Sequence, residues 1–380
     1  MSESTQNLRV ERTIDECLRA RAERRRRSYR IASGEEIERG LERWMRDELG
    51  TGVRVENVSR APGGASKENF FFDCVDGECR REMLFRLDPG ESIVETHRLR
   101  EFQLLRAAEG TVAVPHAIAV DGEGTRFERP AMVMAKVEGR TQPALGETTS
   151  GVGIGYEPAI RDELAADFVD SLVRLHAIDW RTKDISAFDV PPPGTIDAAA
   201  WTLNWWDRVY REDHVEEHPV IVYAIEWLRR HLPPAERIAI VHGDYRNGNF
   251  LYDDRARMTA ILDWELGHLG DPHEDLGWIV NHLFTMKDER GRRLCCGLLE
   301  REPLIERYER GAGWKVDRER LRFYEILNNL KLAVITHTTG LRIARGKATH
   351  LAASMSLIHA FGHRYVTELA RALGIAGERS

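Results

Sequence analysis

The sequence predicts an α+β chain of two lobes: a small N-terminal lobe with an antiparallel sheet and one helix, then a larger, mainly helical C-terminal lobe. Three observations carry this expectation. Short strand-like runs separated by turn residues fill the region from 53 to 88. One helical period sits among the strand-like runs of the first third. Beyond residue 155 apolar residues recur mostly at helical spacing. The length, 380 residues, suits two lobes better than one small domain.

The elements follow in chain order. Residues 1–50 read as a helical extension: a polar, charged arm with the run RAERRRRSYR, then the amphipathic EEIERGLERWMRDELG. In the latter, Ile37, Leu41, Trp44, Met45 and Leu49 share a face and Gly50 ends the helix. The arm's basic run is read as a solvated helix face. VRVENVSR, KENFFFDC and REMLFRLD predict a three-stranded meander, its turns being APGGAS and VDGECR. ETHRLREFQLLRAAEG predicts a helix with Leu99, Phe102, Leu105 and Ala108 on one face. VPHAIAV and RPAMVMAKV add two strands, completing a small lobe over 51–137. A Gly-, Thr- and Pro-rich loop, EGRTQPALGETTSGVGIGYEP, opens the large lobe, 138–380. RDELAADFVDSLVRLHAID, WTLNWWDRVYREDH and VIVYAIEWLRRHL are helical; IAIVHGD and MTAILDWE are short strands; helical patterns then run to the end.

Composition narrows the function. With 42% hydrophobic and 31% charged residues, a sizeable core forms. The net charge of −7 argues against nucleic-acid binding as the main task. The cysteines are Cys17, Cys74, Cys79, Cys295 and Cys296, an odd number with an adjacent pair, which points to a reducing, cytoplasmic compartment. No apolar run reaches the roughly 18 residues of a membrane span, and no signal-peptide core opens the chain. A monomer or a homodimer is expected.

The chemistry concentrates in HGDYRNGNF, His242 to Phe250, together with the later DWE. The segment NFLYDDRARMT reads as a hairpin, which brings Asp244, Asn249 and Asp263 to one end of the strand pair. Two carboxylates and an amide suit a hard cation such as Mg²⁺, and one carboxylate can accept a proton from an attacking hydroxyl. Each residue alone reads equally as a strand-end turn former; the set does not. His268, His273 and His282 complete no zinc spacing, and no G-x-S-x-G is present.

The spacing H-x-D-x-x-x-x-N, with Asp263 fourteen residues after Asn249, resembles the catalytic loop of protein kinases. HGDYRNGN, ILDWELGHLGDPHEDLGW and the late GLRIARG resemble the aminoglycoside phosphotransferase and choline kinase superfamily. Within it they resemble the branch of kinase-like domains associated with acyl-CoA dehydrogenases. The resemblance covers most of the chain from about residue 50 and implies a bilobal protein-kinase-like fold. It implies that ATP or GTP, with Mg²⁺, phosphorylates a hydroxyl of a small molecule, without nucleic acid or membrane as partner.

The resemblance also assigns roles. Asp244 would be the catalytic carboxylate, Asn249 and Asp263 the metal ligands, and Arg246 a fork for the transferred phosphate, where many protein kinases have a lysine. Gly63, Gly64 and Ser66 would cover phosphates. Met134, Ala135 and Lys136 would read the adenine edge by backbone, with Val133, Met134 and Leu251 lining its slot. The third strand should carry a lysine paired with a helix glutamate; here it carries Arg86, whose partner would be Glu101. Taken alone, Arg86 and Glu101 read equally as a structural ion pair. His242 is expected as a hydrogen-bonded loop anchor, Asp275 as a loop brace and Asp271 as a turn residue. Cys295 and Cys296 are expected as buried thiols. For the acceptor, tryptophans and the acidic residues Asp207, Glu212, Asp213, Glu216 and Glu217 leave an acyl group and a cationic amine both open. The alternative to an enzyme is a nucleotide-binding pseudokinase or regulatory module, which the exchange at Arg86 favours and the full catalytic set opposes.

Overall fold

A computed structural model describes residues 8–24, 33–61, 68–89, 92–141, 155–346, 359–360 and 362–375. The chain opens with α1 (Arg12–Arg24) and α2 (Gly34–Leu49). Five strands follow with one helix among them: β1 (Arg54–Arg60), β2 (Glu68–Asp76), β3 (Cys79–Leu87), α3 (Arg98–Ala108), β4 (Ala117–Asp121) and β5 (Ala131–Ala135). Their sheet is antiparallel in the order β1-β2-β3-β5-β4.

Local chemistry explains these elements. Ser33 caps α2 by accepting from the Glu36 N–H at 3.3 Å, while the Glu36 carboxylate accepts from the Ser33 N–H at 2.8 Å. Ile37, Leu41, Trp44 and Met45 then pack on one face of the sheet, against Val55, Phe70, Phe72, Phe85 and Val133. Period-2 alternation sends Phe85 and Leu87 to that face and turns Leu84 and Arg86 to the other.

The larger lobe contains α4 (Pro158–His176), α5 (Asp197–Asp213), α6 (Pro219–Arg230), β6 (Ala239–Val241), β7 (Phe250–Tyr252), β8 (Met258–Ile261), β9 (His268–Gly270), α7 (His273–Ile279), β10 (Thr285–Lys287), β11 (Arg293–Cys295), α8 (Arg301–Ala312) and α9 (Arg318–Ala333). A π-helical stretch, Val334–Thr339, continues α9 into α10 (Gly340–Gly346), and α11 (Gly362–Ala372) closes the described chain. Strands pair β6 with β9, β7 with β8 and β10 with β11, all antiparallel. The sequence shows only helical patterns after residue 265, and β9, β10 and β11 add to them. Three-residue strands are too short for alternation to register in a sequence.

A central cluster joins the lobes: Leu104, Leu105, Met132 and Met134 of the small lobe meet Phe168, Tyr245, Phe250 and Trp264 of the large one. A third cluster lies in the helical lobe, where Val10, Ile14 and Leu18 pack with Trp205, Trp206, Leu327 and Leu330. The first fifty residues therefore serve both lobes, α1 the helical one and α2 the sheet. Helix α3 departs from a simple amphipathic reading. Its Leu99 and Phe102 are half-buried, whereas Arg98, Arg100, Glu101 and Gln103 are buried. The helix is enclosed between the sheet and the Trp264–Leu266 turn, so its polar side finds partners instead of water.

Candidate active site

Strand β6 delivers the chain into His242-Gly243-Asp244. Gly243 has φ +76°, and a Cβ there would come 2.6 Å from the Leu266 carbonyl oxygen, so only glycine fits the turn. Asp275, buried at the start of α7, accepts from the His242 N–H and the Gly243 N–H, each at 2.8 Å, and from His176 Nε2 at 3.1 Å. It braces the loop as the sequence suggested. Burial would raise its pKa, but the His176 and backbone hydrogen bonds outweigh burial and hold it below the ordinary aspartate value. His242 is also buried: Nε2–H donates to the Leu262 carbonyl at 2.9 Å, and Nδ1 accepts from the Asp244 N–H at 3.2 Å. These partners define a neutral imidazole, and burial lowers its pKa in the same direction. It is an anchor.

Asp244 stands at the loop's apex with its side chain 15% exposed. Its Oδ1 accepts from Arg246 Nε at 2.9 Å and from Trp278 Nε1 at 2.8 Å, and its Oδ2 accepts from Asn249 Nδ2 at 2.6 Å. Asn249 Nδ2 also reaches the Asp244 carbonyl at 2.9 Å, which turns the amide oxygen the other way. The Leu262 N–H donates to the Asn249 carbonyl at 2.8 Å, so residue 263 follows directly beside Asn249. Asp263 has φ +62°, a left-handed conformation that aspartate adopts at a cost of about 1–3 kcal/mol. The structure thus brings Asp244 and Asn249 into contact and sets Asp263 across the β7–β8 end from Asn249.

Arg246 folds back on its own loop. Its Nε lies on Asp244, a terminal nitrogen donates to the Asn247 carbonyl at 2.9 Å, and the guanidinium sits 5.2 Å from the Phe284 ring centre.

From the small lobe, Arg86 points to the same place. One terminal nitrogen donates to Glu101 Oε1 at 2.5 Å, the other to Asp263 Oδ1 at 3.2 Å. Arg98 completes a buried relay, bonding Glu101 Oε2 and Asp88 Oδ1. Burial opposes the charge on Arg86, but Glu101 and Asp263 overcome it and raise its pKa further. Asp263 responds in kind: burial raises its pKa, and the Arg86 charge brings it below the ordinary value.

The remaining expected residues are less concentrated. Met134 faces the central cluster, but Val133 faces the α2 side of the sheet, so the two cannot line one slot, and that expectation is corrected by strand alternation. Leu251 is half-buried. The Ala135 N–H donates to the His116 carbonyl and the Lys136 N–H to the Glu82 carbonyl, while Lys136 Nζ lies 2.8 Å from Glu82 Oε1. Both amides are engaged within the small lobe. Gly63, Gly64 and Ser66 lie outside the described residues. Sequence reasoning missed two groups, Trp278 and Lys331. Lys331 Nζ donates to the Gly243 carbonyl at 2.6 Å. Trp278 had a faint signal, lying in the same short run as Asp275; Lys331, within an apolar helical pattern, had none.

Residues 57–324 match the model of the phosphotransferase enzyme family. The chain belongs to this family. Among curated relatives it is 26% identical over 245 residues to acyl-CoA dehydrogenase family member 10 of Mus musculus, covering 63% of this chain and 21% of the relative. It is 25% identical over 308 residues to acyl-CoA dehydrogenase family member 11 of Homo sapiens, covering 78% and 38%. The phosphotransferase chain thus spans well under half the length of these relatives. A putative aminoglycoside phosphotransferase from Ralstonia eutropha shares the fold at TM-score 0.65, 21% identity and 90% and 99% coverage of the two chains. An aminoglycoside phosphotransferase in ternary complex with ADP and hygromycin B shares it at TM-score 0.55, 17% identity and 89% and 100% coverage. The fold is therefore that of the kinase-like phosphotransferases.

The phosphotransferase's site residues suit a hard cation: Asn249 offers an amide oxygen and Asp263 a carboxylate whose side chain is 34% exposed. The three histidines set aside as metal ligands are occupied otherwise, His268 by Glu274, His273 by Asp271 and His282 near Glu368. The part of the acidic run that lies on α5 is also committed, while Glu216 and Glu217, beyond its end, are exposed. Asp207 pairs with Arg211 and Arg229, Glu212 with Arg21 and Arg208, and Asp213 with Arg21 and Arg342. Its reading as a receptor for a cationic amine is weakened accordingly. Among the described residues no helix is long and apolar enough to cross a membrane.

Proposed function

We propose that the chain is a small-molecule kinase that transfers the γ-phosphoryl group of ATP or GTP to an alcohol, with Asp244 as the carboxylate facing the acceptor hydroxyl. The observation that carries this is the presentation of Asp244: Trp278, Arg246 and Asn249 fix both its oxygens within hydrogen-bond distance of donors. Each carboxylate oxygen has two lone pairs, so Oδ2 retains capacity for a hydroxyl proton. Asp244 would orient the hydroxyl and take its proton as the oxygen–phosphorus bond forms and the bond to the leaving diphosphate breaks. Asn249 and Asp263 would hold Mg²⁺, which when bound supplies charge neutralisation for the phosphates. Arg86 and Arg246 would contribute fixed positive charge beside the transferred group.

For the acceptor we favour a hydroxylated metabolite or hydroxyacyl compound over an aminoglycoside. The arginine-paired acidic run on α5 and the acyl-CoA dehydrogenase names of the relatives support that choice. All five cysteines are thiols, which supports a reducing, cytoplasmic setting.

One observation favours a second reading, a nucleotide-binding module without turnover. Arg86 spends both terminal nitrogens on Glu101 and Asp263, the latter being the carboxylate a metal would use. Calorimetry with ATP and GTP, with and without Mg²⁺, followed by a phosphate-transfer screen of hydroxyacyl compounds and aminoglycosides, separates the readings. Binding that tightens with Mg²⁺ and turnover lost by about 10³-fold or more in Asp244→Ala, with nucleotide affinity kept, is the expected result. Turnover that survives Asp244→Ala removes the assignment of the base; binding without turnover in the native chain favours the module.

A further inference from the structure

Lys331, in the last turn of α9, is only 2% exposed. An apolar side chain would satisfy the packing there, and burying an ammonium group is costly unless it is well paired. Its surroundings are specific. Nζ donates to the Gly243 carbonyl at 2.6 Å, lies 3.7 Å from Glu274 Oε1 and stands 4.1 Å from the centre of the Trp278 ring. Trp278 is the residue whose Nε1–H holds Asp244 Oδ1. Glu274 is held in turn by His268 Nε2 at 3.1 Å, and its backbone carbonyl accepts from Asn328 Nδ2, also of α9, at 2.9 Å. One ammonium thus touches both connections to the apex of the loop: the backbone on one side of Asp244 and the ring that donates to its carboxylate.

We propose that Lys331 is a positioning residue for phosphoryl transfer, holding the Gly243 carbonyl and the Trp278 ring so that Asp244 is fixed toward the acceptor. This rests on the kinase reading given above. Asp275 already secures the loop's N–H groups at His242 and Gly243. Lys331 secures the carbonyl of the same glycine from the opposite polarity, so the peptide units on both sides of the Gly243 turn are clamped. Without the ammonium, the Gly243 carbonyl loses its donor and the indole loses its cationic neighbour. Both errors converge on Asp244, and misplacements near 1 Å at a reacting group cost about 100-fold in rate.

The test compares the native chain with Lys331→Arg, Lys331→Met and the double variant Glu274→Gln/Lys331→Met. The double variant removes both charges and so controls for a buried glutamate left without its lysine. Two readouts are taken: steady-state kcat and nucleotide KM, and hydrogen exchange of the amides of residues 242–249. We expect Lys331→Met and the double variant to lose about 100-fold in kcat, with nucleotide KM within about threefold of native and faster loop exchange. Lys331→Arg should recover part of both. Native kcat with native loop exchange in either methionine variant overturns the proposal. Failure of both to fold cooperatively also overturns it, by assigning Lys331 to stability instead. If the native chain turns over no acceptor, the kinase reading fails by itself, and loop exchange alone still decides whether Lys331 holds the loop.

Discussion

Arg86 joins two carboxylates of different origin, Glu101 from α3 and Asp263 from the loop after β8. The planar fork of arginine gives each carboxylate its own nitrogen, where a lysine would offer both a single ammonium. Arg86→Met should therefore cost about 3 kcal/mol of stability, since it leaves buried carboxylate charge with fewer partners. Arg98 keeps Glu101 from being wholly deserted. Arg86→Lys should restore most of that loss, and chemical denaturation of both variants measures the difference. Trp278 offers a second single-residue test. Trp278→Phe keeps a ring in the cluster and deletes the N–H that donates to Asp244, so kcat should fall about tenfold or more at unchanged nucleotide KM. Unchanged kcat would mean that the indole merely fills space.

At the scale of elements, α7 and the loop after β6 form one unit through Asp275. Its pKa in the folded chain lies below the ordinary 3.8, so the stability it contributes is complete above that value and is lost as pH falls through the folded pKa. The stability gap between the native chain and Asp275→Asn should be constant near neutrality and shrink below about pH 4, which denaturant titrations across that range would show. The same scale explains what the sequence made legible. Strands β1 to β5 and helix α2 were readable because alternation and helical spacing report long, one-sided burial, as with Trp44 and Phe72. Asp244, Asn249 and Asp263 were readable because a short hairpin brings residues close in sequence together. The β6–β9 pairing was not, since each strand has three residues and the partner is distant in the chain. Nor were Lys331 and Arg100 of α3, whose roles depend on partners from remote elements, Glu11 for Arg100 and Gly243 for Lys331.

At the scale of the whole molecule, three apolar clusters among the described residues divide the labour, and the N-terminal segment belongs to two of them. Residues 10–18 cover Trp205 and Trp206, while Glu11 pairs with buried Arg100, whose other terminal nitrogen donates to the Gly267 carbonyl at 3.3 Å. Asp15 pairs with Arg208. Deleting residues 1–24 should lower stability by about 5 kcal/mol or more, from the burial of Val10, Ile14 and Leu18 alone. A thermal melt matching that of the full chain would contradict this account.

The split allegiance of α1 and α2 has a mechanical side. The two helices are successive in the chain, yet α1 is fastened to the helical lobe and α2 to the sheet. The lobes are therefore stitched together along the backbone by this pair as well as by the chain that leaves β5. A body joined to another by a single pin can swing in any direction; a second stitch removes some of that freedom.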